Sequence, residues 1–172
     1  MISDTEHCIF QEKEKSKIHD ELLKFIKDTK VKLNIVFPEH VDHLLISKEI
    51  TNTIASKKLK DNINTKLLYS YNENTKTIIK RISPFVLLKR LEFSVNDSYI
   101  FLRDDHDFFI IDPNKLSLHK LINSKKYDFN NILNEDNQKN TKVVDSLYVI
   151  YSKNNSLLSL ITSFYNSLWF QK

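Results

Sequence analysis

The stretch KLLYSYNENTKTIIKRISPFVLLKRLEFSV, residues 66 to 95, decides how this chain is read. Two apolar blocks, KLLYSY and KTIIKRI, flank Asn72-Glu73-Asn74, and Asn takes the positive-φ position of a tight turn that glycine usually fills. Past Ser83-Pro84, Leu91, Phe93 and Val95 alternate with Arg90, Glu92 and Ser94, the period of a half-buried strand. The segment therefore predicts a hairpin followed by a third antiparallel strand.

Downstream the same pattern continues. Asn96-Asp97 turns the chain, and SYIFLR and DFFIID make a second hairpin around Asp104, Asp105 and His106. Asp112-Pro113 reads as a helix start, with Asp as N-cap and Pro at the first helical position, followed by Leu118, Leu121 and Ile122 on one face. A short helical piece with Phe129, Ile132 and Leu133, a polar mobile loop at 134–142 and a strand in VVDSLYVIYS come next. The chain closes on a helix with Leu157, Ile161, Phe164, Tyr165 and Leu168 on one side. Upstream, Ile18, Leu22, Phe25 and Ile26 mark a helix within 11–29. LNIVF at 33–37 is an apolar run closed by Pro38, and 38–62 reads as a second helix with Val41, Leu44 and Leu45 inward. The expected fold is α+β: an antiparallel β-meander of about five strands with N-terminal and C-terminal helices packed on one face. Residues 1–172 are expected to form one globular domain, with about ten N-terminal residues frayed.

Composition removes several functions. There is no glycine in 172 residues, so the P-loop, the dinucleotide G-x-G-x-x-G and the G-x-S-x-G elbow are all missing. One Ala, three Pro and three Arg stand against 23 Lys and 17 Asn, the skew of an AT-rich genome. Asn and Asp must then make the turns and helix ends that glycine usually makes. A lone cysteine, Cys8, forms no internal disulfide, the first residues lack a signal-peptide pattern, and no apolar run reaches a membrane span. An intracellular chain is expected, without cofactor or metal.

Four clusters carry the functional reading. Asp104, Asp105, His106 and Asp112, with Lys115 close by, have the residue types of a Mg²⁺-dependent nuclease, but Asp and His are also ordinary hairpin residues and Asp112 has a capping role. Glu39, His40 and His43 have helical metal-ligand spacing with no matching pair elsewhere, and read as first-turn surface groups. Residues 57–90 hold nine basic groups against two acidic ones: Lys57, Lys58, Lys60, Lys66, Lys76, Lys80, Arg81, Lys89 and Arg90, interleaved with Tyr69 and Tyr71. Basic groups beside exposed aromatics on a sheet suit nucleic acid, with phosphates on lysines and bases on tyrosines. Finally, the terminal helix carries no charge from Asn154 to Gln171 and displays Trp169 and Phe170 beside Tyr165, the side chains that anchor protein interfaces. The first expectation is a non-enzymatic interaction module binding a protein partner or a second copy of itself through that helix; nucleic-acid binding on the basic sheet is the alternative, and the metal-dependent nuclease a distant third.

Overall fold

The computed structural model describes residues 7–12, 14–91, 98–103, 107–112, 147–152 and 155–170. Asn72 overturns the predicted hairpin. Its side chain accepts the Thr75 N–H at 3.0 Å, while Thr75 Oγ1 accepts the Asn72 N–H at 3.1 Å, a reciprocal capping box. Asn72 is itself extended, at φ −157°. The chain therefore leaves strand β3 (Asn64–Ser70) and enters helix α3 (Glu73–Ile82), which buries Thr75, Ile78, Ile79 and Ile82 at helical spacing.

Helix α2 is shorter than its apolar pattern. It spans Lys48–Asp61, with Ser47 as N-cap accepting the Ile50 N–H, so Pro38 lies well upstream of it. At its other end Asn62 is left-handed, at φ 53°. This is the position where Asn stands in for the missing glycine. Helix α1 covers Lys15–Lys27, as expected, and α4 covers Asn155–Trp169.

One seven-stranded sheet runs in the order β1 (His7–Glu12), β7 (Leu147–Ser152), β6 (Asp107–Asp112), β5 (Tyr99–Arg103), β2 (Lys32–Val36), β3, β4 (Leu87–Leu91). Strands β2, β3 and β4 form two parallel pairs because α2 and α3 return the chain between them; the remaining pairings are antiparallel. The sheet is thus mixed, and the antiparallel meander is corrected. The second hairpin survives as β5–β6, in register from Tyr99↔Ile111 to Arg103↔Asp107. Strand β7 falls within VVDSLYVIYS, and β1 is a strand the sequence reading did not anticipate. The proposed helices at 113–133 and the loop at 134–142 lie outside the described residues.

Helices cover both faces rather than one. Alternate strand residues Leu33, Ile35, Leu67, Tyr99, Phe101, Phe109 and Ile111 meet Ile18, Leu22, Ile26, Ile50, Ile54, Ile78 and Ile82 of α1, α2 and α3. Their neighbours Val36, Leu68, Leu91, Ile100, Leu102, Phe108 and Ile110 meet Leu158, Ile161, Tyr165 and Leu168 of α4. Period-two side-chain alternation divides each strand between the two cores. Strands buried on both sides read as continuous apolar runs, which is why β6 carries FFII rather than an apolar–polar alternation. Among the described residues no helix is long and apolar enough to cross a membrane.

Candidate nucleic-acid interface

Helices α1, α2 and α3 lead into β2, β3 and β4 respectively, and each packs on the same sheet face. Their carboxyl ends therefore lie together at the amino-terminal edge of the parallel strands. Each last turn is basic: Lys24 and Lys27 on α1, Lys58 and Lys60 on α2, Lys80 and Arg81 on α3. The helix dipole favours cations there. Neighbouring helices lie about 10 Å apart, so the three pairs make a row about 20 Å long. Lys57 ties α2 to α1 beside the row, donating to the Lys27 carbonyl at 2.9 Å and pairing with Asp61 of its own helix at 3.0 Å. Lys58 reaches Asn62 Oδ1 at 3.2 Å. Lys24, Lys60, Lys80 and Arg81 are exposed and make no ion pair among the described residues. A groove of about 490 Å³ opens beside the row between α1 and α2, lined by Lys27, Lys48, Glu49, Asn52, Thr53, Ser56 and Lys57.

The other basic candidates do not join the row. Lys66 and Lys89 point to the α4 face: Lys66 Nζ lies 5.1 Å from the Trp169 ring centre, and Lys89 donates to the Trp169 carbonyl at the end of α4. Arg90 sits over the Tyr71 ring at 5.2 Å on the opposite face. Tyr69 packs against the three-helix core and Lys76 is half-buried on α3. The basic strand residues are thus divided between two helix-covered sheet faces, with Tyr69 against the core and Tyr71 43% exposed beneath Arg90. Sequence reading missed Lys24 and Lys27; the available signal was a basic last turn repeated on successive helices.

The terminal helix is equally divided. Tyr165 is 1% exposed and stacks on Trp169 at 6.2 Å, while Trp169 is half-buried and Phe170 is 73% exposed. Burial pushes the Tyr165 phenol well above its ordinary value, and its OH has no hydrogen-bond partner among the described residues. Of the three aromatic anchors, Phe170 and the outer part of Trp169 remain accessible.

Arg103 and Asp107, which flank the acidic turn in sequence, pair with each other. Arg103 Nε and a terminal nitrogen both donate to Asp107 Oδ2, the first at 3.0 Å, while another reaches the Phe25 carbonyl at 2.8 Å and the guanidinium covers the Phe25 ring. Asp104, Asp105, His106 and Lys115 lie outside the described residues, as does the Asp112 cap. Glu39 to His43 is a loop, not a helical turn. Asn74 Oδ1 accepts the Val41 N–H at 2.6 Å, His43 Nε2 lies 3.0 Å from the Asn74 carbonyl, and the Tyr99 hydroxyl accepts the Asp42 N–H at 2.7 Å. Burial would raise the Asp42 carboxyl, but hydrogen bonds from Lys15 at 2.5 Å and from the Leu44 and Leu45 N–H groups hold it below 3.8. Burial pushes the Tyr99 phenol up to about 12 against the opposing hydrogen bond from Asp42. No group of three His, Cys, Asp or Glu among the described residues is arranged for a metal ion.

No family model matches the chain, and no curated protein matches it in sequence. Its fold is shared. Nuc from Salmonella typhimurium, a phospholipase D family member, superposes with TM-score 0.63 at 12% identity over 96% of this chain and 94% of its own. NucT from Helicobacter pylori gives 0.61 at 13% identity, over 95% and 94%. TrmBL2, an archaeal chromatin protein with a novel mode of DNA binding, gives 0.58 at 10% identity over 95% of this chain. The chain spans about half of that protein, 52%, and nearly all of the other two. At these identities the likeness is one of fold.

Proposed function

We propose that this chain binds nucleic acid through its backbone phosphates. The observation that carries the reading is the row of basic last turns on α1, α2 and α3, in which Lys24, Lys60, Lys80 and Arg81 lack ion-pair partners among the described residues. Cations held in a line release condensed counterions when phosphates replace them, which favours binding without regard to sequence. Lysine dominates the row and Arg81 is its one guanidinium, so bidentate reading of guanine has little to draw on. The DNA-binding chromatin protein among the fold's relatives is consistent with this use of the scaffold. Association through α4, the first expectation from sequence, has less support because Tyr165 belongs to the core.

Fluorescence anisotropy of labelled duplex and single-stranded oligonucleotides, across a series of salt concentrations, tests the proposal. The triple variant Lys60→Glu, Lys80→Glu, Arg81→Glu is expected to weaken binding at least tenfold and flatten the log–log salt slope by about 0.9 for each duplex phosphate that is no longer neutralised. An unchanged slope would remove the row from consideration.

A further inference from the structure

At the other end of the three-helix layer, outside the carboxyl end of β2, Ser47 and His19 meet. His19 Nε2 lies 2.7 Å from Ser47 Oγ, and His19 Nδ1 lies 3.4 Å from Asp20 Oδ1. Ser47 Oγ already accepts the Ile50 N–H at 3.3 Å, so its own proton is best directed to His19 Nε2. That arrangement places the ring proton on Nδ1, facing Asp20. The His19 side chain is 13% exposed, whereas that of Asp20 is 80% exposed. A hydroxyl, an imidazole and a carboxylate thus stand in the order that activates a serine. The first N–H groups of α2, on Lys48 and Glu49, have no intrahelical acceptor and lie beside Ser47, where an oxyanion would develop. Lys15, one turn earlier on α1, is paired with Asp42. Open sheets with parallel strands place ligand sites outside the carboxyl ends of those strands.

We propose that Ser47 is a nucleophile toward small activated carboxylic esters, with His19 as general base and Asp20 orienting the imidazole, an activity beyond the nucleic-acid binding above. Ser47 Oγ gives its proton to His19 Nε2 and forms a bond to the acyl carbon. The ester C–O bond breaks, and the departing alcohol takes the proton from Nε2. Water then repeats the sequence, giving its proton to His19, releasing the carboxylic acid and restoring the Ser47 hydroxyl.

A fluorophosphonate probe, which exchanges fluoride for the serine oxygen at phosphorus, tests this on the full chain, with the labelled peptide located by mass spectrometry. One label on Ser47 is expected, together with a burst of p-nitrophenol from p-nitrophenyl acetate. Ser47→Asn keeps an N-cap side chain of equal quality and should abolish label and burst while the melting temperature holds. His19→Gln keeps a hydrogen-bond partner for Ser47 but cannot take the proton, and should slow labelling roughly a hundredfold or more. Label absent from the native protein, or equally fast in His19→Gln, would overturn the proposal and leave Ser47 as a helix cap tied to α1. Oligonucleotide binding should be the same in all three proteins, which keeps this test separate from that of the cation row.

Discussion

The two faces of the sheet are covered by opposite kinds of helix. On one side, α1, α2 and α3 bury apolar stripes and turn their lysines outward; on the other, α4 bears no charged residue and lies alone, among the described residues, against Leu68, Leu102 and Ile110. The contrast teaches that the exposed cations of the helices gather on the layer whose members each bury a single apolar stripe, while Arg103 and Asp107 are the charged pair that the interior holds. Helices with one apolar stripe have an outer surface available for cations, whereas α4 spends most of its circumference on packing.

The largest expected effect is on the link between α1 and the sheet. Arg103→Met takes the guanidinium away from the buried Asp107 and one donor away from the Phe25 carbonyl, so stability should fall by about 3–5 kcal/mol, read from urea unfolding. A loss below about one kcal/mol, the range of an exposed pair, would mean that the pair does not hold α1 in place. Next come matched truncations on the two faces. Ile54→Ala in α2 and Ile161→Ala in α4 each remove a side chain 1% exposed, at an expected cost of about 2–5 kcal/mol. Similar losses with a single unfolding transition would show one cooperative unit; a small cost for Ile161, with early hydrogen exchange in α4, would make that face a separable cover.

Smaller is the effect of Asn72→Ala. Loss of the capping box should cost about 1 kcal/mol, visible as a lowered midpoint with an unchanged m-value. If Asn72 instead shaped a hairpin turn, circular dichroism would show no change in helix content. The smallest effects are those of pH. The Tyr99 phenol is raised from 10.0 to about 12, so the folded state favours its neutral form. Its contribution is full below pH 10 and declines as pH rises through 12. Asp42 is shifted the other way, so its contribution is present above pH 3.8 and is lost as pH falls below that value. Urea midpoints across both limits should show these two declines, the acid one disappearing in Asp42→Asn.

Local signals were legible where structure is local. The β5–β6 pair, α1 and α4 follow from apolar runs on either side of polar turn residues and from helical spacing in contiguous residues. Residues 66–82 misled because KTIIKRI supports both periods, and Thr75, Ile78, Ile79 and Ile82 have helical spacing that a strand reading passes over. Asn72 with Thr75 three residues on was the available sign of a helix start. Residues 38–46 misled differently: Val41, Leu45 and Ile46 are buried, but from a loop held by Asn74 and Tyr99, far away in sequence, and Leu44, expected inward, is 69% exposed.

By itself the sequence determined the α+β class, the chief apolar stripes, the local excess of positive charge and the need for Asn in a glycine-like position, met at Asn62. These follow from composition and from periods of two and 3.6 residues along a single segment. Only the tertiary structure decided the mixed sheet, the helices on both faces, the burial of Tyr165 and the meeting of three basic helix ends. Each of those depends on which strands pair across long separations, and pairing is settled by burial of whole faces rather than by any neighbouring residues.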